Sequence, residues 1–216
     1  MKKSELLWIL FPLGVLVFHF TLGATLRNSG FSSSVEAIGH AAEASGNLEK
    51  AARSYDKAYQ TADPDDFPLR ARLEIAKARV ATLTGDAPNA ADQMERLLAK
   101  RAAATLPKAT RVEAMTVQAT ALYYTAYALR LFNPDPARWG MKAQEARDLF
   151  VSLHQNALTQ ETLEVQNQAA RALEASTKLL HYRDTEFADL AWPTIALSTL
   201  KRNAPAVQTD PTDETP

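Results

Sequence analysis

Residues 46–59 read GNLEKAARSYDKAY and residues 85–98 read GDAPNAADQMERLL, so one pattern occurs twice in the chain. After each Gly-Asn or Gly-Asp turn, small or apolar residues recur at positions i, i+3, i+4, i+7, i+10 and i+11, which lie on one face of an α-helix. An apolar helix precedes each turn, at residues 35–44 and 73–83. Glycine permits the left-handed backbone that ends a helix. The repeating unit is therefore predicted to be helix, turn, helix.

The apolar pattern continues beyond the second unit and predicts helices at residues 112–129, 139–150, 163–180 and 184–200. The segment Asn133-Pro134-Asp135-Pro136 separates the first two of these, because proline cannot continue a helix. We expect that pair to form a third, divergent hairpin and the last two helices to close the stack. The predicted fold class is all-α, and a generic array of helical hairpins is the alternative to true repeats.

The first unit resembles a tetratricopeptide repeat. That family has a small residue in its first helix, a Gly-Asp/Asn turn seven residues later, small residues and an aromatic in its second helix, and a closing proline. The matching residues of the first unit are Gly39, Gly46-Asn47, Ala51, Tyr55, Ala58 and Pro64, the proline lying one residue late. The second unit matches with Ala78, Gly85-Asp86, Ala90, Met94 and Leu97. The resemblance implies a helical-hairpin solenoid, and the N-terminal sequence predicts a transmembrane helix ahead of it.

The N-terminus carries the pattern of a membrane anchor. Lys2 and Lys3 precede an apolar run from Leu6 to Leu22, which Leu26 extends. A transmembrane helix needs about 20 apolar residues, and about 17 is the lower limit. The lysines place the N-terminus in the cytoplasm. A cleaved signal peptide and a buried core helix remain as alternatives.

The predicted organisation has five parts. Residues 1–5 are a cytoplasmic N-terminus, 6–26 a transmembrane signal-anchor and 27–34 a linker that ends in a helix N-cap. Residues 35–202 form the tetratricopeptide-like domain. Residues 203–216, which hold three prolines and almost no apolar side chains, form a disordered tail.

Composition and motifs give no sign of catalysis. The net charge of -1 argues against nucleic-acid binding, and the absence of cysteine excludes disulfides and thiolate metal sites. The four histidines lack partners at metal-ligand spacing. Asp63-Pro64-Asp65-Asp66 could suggest calcium but reads better as a solvated turn. We therefore predict no enzyme, no cofactor and no metal.

The resemblance also implies a binding surface. In tetratricopeptide-like arrays the first helices of successive units line a concave groove, here called the first-helix face, which takes a peptide or a partner helix. The corresponding positions are Ser33, Glu36, His40 and Glu43 in the first unit, and Arg72, Ile75, Arg79 and Thr82 in the second. Arg72 and Arg79 lie two turns apart on one helix and could pair with carboxylates of a partner. A solvated surface without binding function is the alternative.

A second candidate surface lies on the helix around residue 124. Tyr124 and Tyr127, near Tyr123 and Arg130, could form an aromatic patch for a partner, and core packing with one tyrosine exposed is the alternative. The six predicted partner-binding residues are Glu36, His40, Arg72, Arg79, Tyr124 and Tyr127.

The sequence predicts a single-pass scaffold or adaptor of a bacterial-type inner membrane, with its repeat domain in the periplasm. Its expected partners are proteins of the envelope or inner membrane, together with the lipid around residues 6–26. A role in envelope protein assembly or secretion follows by architectural analogy. The alternatives are a cleaved, soluble periplasmic binding module and an enzyme with a pocket between helices.

Overall fold

The computed structural model describes residues 30–132, 135–160 and 163–181, with side chains omitted at 156–160 and 163–169. Every regular element among these residues is helical, which confirms the all-α prediction. The helices are α1 (30–44), α2 (Leu48–Thr61), α3 (Phe67–Leu83), α4 (Ala87–Ala99), a short 3₁₀ helix (Arg101–Thr105), α5 (Lys108–Phe132), α6 (Pro136–Gln160) and α7 (Leu163–His181).

The two repeated turns have the same backbone geometry. Gly46 and Gly85 adopt φ values of +76° and +93°, the left-handed region that glycine tolerates. The next residue in each turn donates its N–H back to the helix that is ending: Asn47 to the Ala42 carbonyl at 2.8 Å, and Asp86 to the Ala81 carbonyl at 2.8 Å. This pattern closes the end of a helix and satisfies one of its last carbonyls. The predicted helix, turn, helix unit is thus present twice.

The helices after the two turns bury the same face. Ala51 and Ala90 are 0% and 1% exposed, and the later pairs in the same register are also buried: Tyr55 with Met94, and Ala58 with Leu97. Small residues at the first of these positions let a neighbouring helix approach closely, while the larger ones fill the space between helices. The apolar spacing read from the sequence therefore identifies the buried face of both α2 and α4.

The chain divides into a first unit that ends at Leu73 and a second unit that begins at Glu74. In the first unit α1 and α2 pair as a hairpin around Tyr55, whose ring fills the space beside Gly39. A Cβ added to Gly39 would lie 2.6 Å from Cε1 of Tyr55, so only glycine fits there. Near the open end of the hairpin, the Ser32 and Thr61 hydroxyls are hydrogen-bonded at 3.1 Å.

In the second unit α4 packs on α5, α5 on α6, and α6 on α7. The predicted break between α5 and α6 is present: α5 ends at Phe132, and α6 begins with Pro136 in its first turn. Proline is favoured there because the first helical N–H has no intrahelical partner. Both helices have 25 residues, nearly twice the 14 of α2, so this hairpin departs from the two earlier ones in length.

Residues 30–34, predicted as the end of a linker, are helical in the structure. The Ser34 hydroxyl donates to the Phe31 carbonyl at 2.8 Å, so Ser34 bonds within the helix instead of capping it. Asp63-Pro64-Asp65-Asp66 forms the turn before α3, where the Asp66 carboxylate accepts the Leu69 N–H at 3.0 Å. Asp66 therefore caps the N-terminus of α3.

Several predicted segments lie outside the described residues: the anchor at 6–26, most of the linker, the helix at 184–200 and the tail at 203–216. Among the helices that the structure does describe, none combines the length and the apolar character that crossing a bilayer requires.

Candidate functional site

The polar surface of the first unit joins α1 to the beginning of α3. Glu36 on α1 forms an ion pair with Arg72 on α3, with 3.5 Å between Oε2 of Glu36 and Nη2 of Arg72. The other carboxylate oxygen of Glu36 lies 3.8 Å from Nε2 of His40, one turn later on α1. Three of the six predicted partner-binding residues therefore meet in one cluster. We call Glu36, His40, Glu43 and Arg72 the α1–α3 cluster.

A buried tyrosine supports this cluster from below. The Tyr55 hydroxyl donates to Oε2 of Glu43 at 2.7 Å and lies 3.0 Å from Nδ1 of His40. The Tyr55 and His40 rings meet edge to face, 5.4 Å apart at an interplanar angle of 75°. Because the Tyr55 ring is fully buried, it fixes two side chains of the surface cluster to the hairpin core. Preorganised side chains lose less entropy when they bind.

The cluster is open to solvent. The side chains of His40 and Arg72 are each 54% exposed, whereas that of Glu36 is 14% exposed and lies between them. Ser33, one turn before Glu36, is also exposed. The surface thus presents a cation, an imidazole and two carboxylates to an incoming partner.

Sequence analysis did not include Tyr55 in the site. It was identified there as the aromatic residue of the second helix, a packing position. The sequence feature that indicates its role is the pairing of this aromatic residue with Gly39 in the facing helix. A glycine at that position leaves room for the tyrosine ring to reach the polar surface.

In the second unit Arg79 pairs with a residue that sequence analysis did not select. Its Nη1 donates to Oε1 of Glu113 on α5 at 2.6 Å, and the Arg79 side chain is 30% exposed. Arg79 is thus bound within its own chain, as Arg72 is. A partner's carboxylate would therefore have to compete with Glu36 for Arg72 and with Glu113 for Arg79.

Ile75 and Thr82 do not lie on the first-helix face. They are 0% and 2% exposed, and the Thr82 hydroxyl bonds to the Ala78 carbonyl. The sequence argument assumed one apolar stripe per helix. Buried residues instead lie nearly all round α3 and leave only a narrow exposed strip. Those residues are Leu69, Ala71, Leu73, Ile75, Ala76, Ala78, Val80 and Thr82.

The tyrosines of α5 belong largely to the core. Tyr123 and Tyr124 are 0% and 1% exposed, and their rings meet edge to face with 5.9 Å between centroids. Burial, followed by the proximity of Tyr127, raises the pKa of Tyr123 to about 12. Burial also raises the pKa of Tyr124 and of Tyr127. Tyr124 is therefore placed where a partner cannot reach its ring, and Tyr127 keeps partial exposure.

Comparison of the chain with protein-family models, with curated protein sequences and with solved structures finds no match. In the part of the chain that the structure describes, no group of three or more His, Cys, Asp or Glu residues could hold a metal ion. The α1–α3 cluster combines ion-pairing and hydrogen-bonding groups on a rigid support, which suits recognition of another polypeptide.

Proposed function

We propose that this chain is a non-catalytic, membrane-anchored scaffold or adaptor that binds protein partners through the first-helix face of a tetratricopeptide-like array. It acts in envelope protein assembly or secretion, with residues 6–26 in the inner membrane and the helical domain in the periplasm. One observation carries the binding part of this proposal. The Glu36–Arg72 ion pair brings α1 beside α3, two helices that precede repeated turns, with exposed polar side chains on both.

The contact between α1 and α3 matters because, in a hairpin array, the helices before and after each turn have different roles. In the first unit α2 uses its apolar stripe to hold the hairpin together, with Ala51, Tyr55 and Ala58 all fully buried. The helices before the turns are left with the accessible polar positions. Protein interfaces favour arginine and rigid aromatic supports at their energetic centres. Arg72, held by Glu36 beside the Tyr55-supported His40, meets that description.

Charge reversal at Arg72 tests the binding surface. Crosslinking in intact membranes that express full-length Arg72→Glu should capture the partner at least about tenfold less efficiently than the wild type, because a paired interface arginine is a common hot spot. The melting temperature should change by no more than a few degrees, since an exposed ion pair contributes about 0–1 kcal/mol. Quantitative mass spectrometry of the crosslinked products gives the comparison.

Arg53→Glu is the matched control. Arg53 lies on α2, forms an i, i+4 pair with Glu49, and its side chain is 67% exposed, so the charge change is the same on a different surface. Capture should remain at the wild-type level. Equal capture by wild type, Arg72→Glu and Arg53→Glu would show that the α1–α3 cluster is a solvated surface without a binding role.

The anchored topology has its own test. A reporter that is active only in the cytoplasm, fused after Pro216, should be silent in intact cells, because one span beginning inside leaves the C-terminus outside. A bright fusion would reverse the orientation. Sequencing the N-terminus of the mature protein separates the anchored form from the alternative, a cleaved and soluble periplasmic module.

A further inference from the structure

A cleft in the second unit lies between α4, α5 and α6 and has a volume of about 400 Å³. Its floor includes Ala91 of α4, Leu122 of α5 and Leu149 of α6. Ala91 and Leu122 are 5% and 6% exposed, and Leu149 is partly exposed. The three helices leave a hollow in which these apolar side chains lie among polar lining residues. Pockets of about 300–1,000 Å³ are typical of sites that receive a ligand group.

Carboxylates stand on both sides of this hollow. Asp92 and Glu95 line it from α4, and Glu145 and Asp148 line it from α6. Within each pair the residues are three apart and therefore share a helix face. We call these four side chains, together with the apolar floor, the acidic cleft. Lys142 is the cation in its lining.

The charges of the acidic cleft are only partly compensated. Lys142 pairs with Glu145 at 2.9 Å, and Arg147 lies 3.8 Å from Asp148. The α4 carboxylates differ, since neither Asp92 nor Glu95 forms an ion pair with any residue that the structure describes. Like charges three residues apart on a helix repel each other and destabilise it slightly. The negative potential thus concentrates over an apolar floor, in a chain whose net charge is only -1.

We propose that the acidic cleft docks a basic amphipathic helix of another protein. One or two apolar side chains of that helix enter the hollow, and lysines or arginines on either side of them reach the α4 and α6 carboxylates. Charge complementarity selects this occupant, because an acidic or neutral helix would leave Asp92 and Glu95 uncompensated. The cleft volume fits anchoring side chains but not a whole helix, so the helix lies across its mouth. No residue of the α1–α3 cluster takes part, so this surface is independent of the proposed function.

A synthetic peptide tests the proposal on the full-length protein in detergent. The probe is a fluorescent helical peptide with leucines at i, i+3, i+4 and i+7 and lysines elsewhere, and its counterpart carries glutamates in place of the lysines. Fluorescence anisotropy should show saturable binding of the lysine peptide and none of the glutamate peptide. Asp92→Asn with Glu95→Gln should weaken binding about fivefold, the loss expected when two partly exposed ion pairs are removed. Leu149→Ala, which removes part of the floor, should also weaken it.

Asp63→Asn with Asp65→Asn is the matched control, because it removes two charges from the α2–α3 loop of the first unit. The Asp63 side chain accepts the Asp65 N–H at 2.9 Å, and asparagine keeps that acceptor. Binding should be unchanged in the control. If both double variants lost peptide binding equally, the effect would come from the overall charge of the protein, and the proposal would be overturned. Absence of saturable binding to the wild type, or binding insensitive to Leu149→Ala, would overturn it as well.

Discussion

Tyr55→Ala should lower the local free energy of unfolding of the α1–α2 hairpin by about 3–5 kcal/mol, the usual cost of truncating a buried aromatic side chain. Tyr55 is 0% exposed, so its removal leaves a cavity between the two helices. It also leaves Glu43 and His40 without the hydroxyl that holds them. Native-state hydrogen exchange at the α2 amides of the full chain measures this local stability. Tyr55→Phe keeps the ring and should cost only about 0.5–1.5 kcal/mol.

The neighbouring glycine makes this result specific. Gly39→Ala in the wild type should destabilise the hairpin by about 1–3 kcal/mol, because the new Cβ would lie 2.6 Å from the Tyr55 ring. In the Tyr55→Ala background the clash is gone, and alanine in a helix is favoured over glycine by about 1 kcal/mol. The effect of Gly39→Ala should therefore change sign. Additive effects of the two substitutions would contradict the contact between the ring and Gly39.

Arg130→Met should destabilise the second unit by about 3 kcal/mol, through loss of a charged hydrogen bond and a cation–π contact. Arg130 is 7% exposed although it carries a guanidinium group. Its Nη1 donates to the Leu179 carbonyl in the last turn of α7, and its Cζ lies over the Trp139 ring of α6, 4.6 Å from the centroid. One side chain of α5 thus joins both helices that follow it. Urea denaturation followed by circular dichroism measures the loss.

Two further variants separate the causes of that loss. Arg130→Lys keeps the positive charge but not the planar group, so it should fall between wild type and Arg130→Met. Arg138→Met removes an arginine that is 46% exposed and pairs with Asp135 at 3.6 Å, and it should change stability by no more than about 0.5 kcal/mol. Similar stabilities of Arg130→Met and Arg138→Met would show that Arg130 does not hold the three helices together.

Some residues of the candidate site could be predicted from the sequence, and others could not. Glu36, His40 and Arg72 were selected together from their positions before the repeated turns, and the structure brings both His40 and Arg72 within 3.8 Å of the Glu36 carboxylate. Glu113 and Tyr55 were not selected, because their roles depend on which helix lies opposite them. Ile75, Thr82 and Tyr124 were assigned to accessible surfaces but are buried. Periodicity identifies the apolar faces of a helix without showing how many neighbours enclose it.

The amino-acid sequence by itself determined the all-α class, the two glycine turns and the buried stripes of α2 and α4. These features depend on interactions between residues close in the chain: glycine's tolerance of positive φ, proline's lack of an N–H, and the 3.6-residue period. Tertiary structure alone decided that Arg130 is a buried junction, that residues nearly all round α3 are buried, and that carboxylates of α4 and α6 share a cleft. Each of these depends on the distance between helices that are remote in sequence, which local periodicity does not encode.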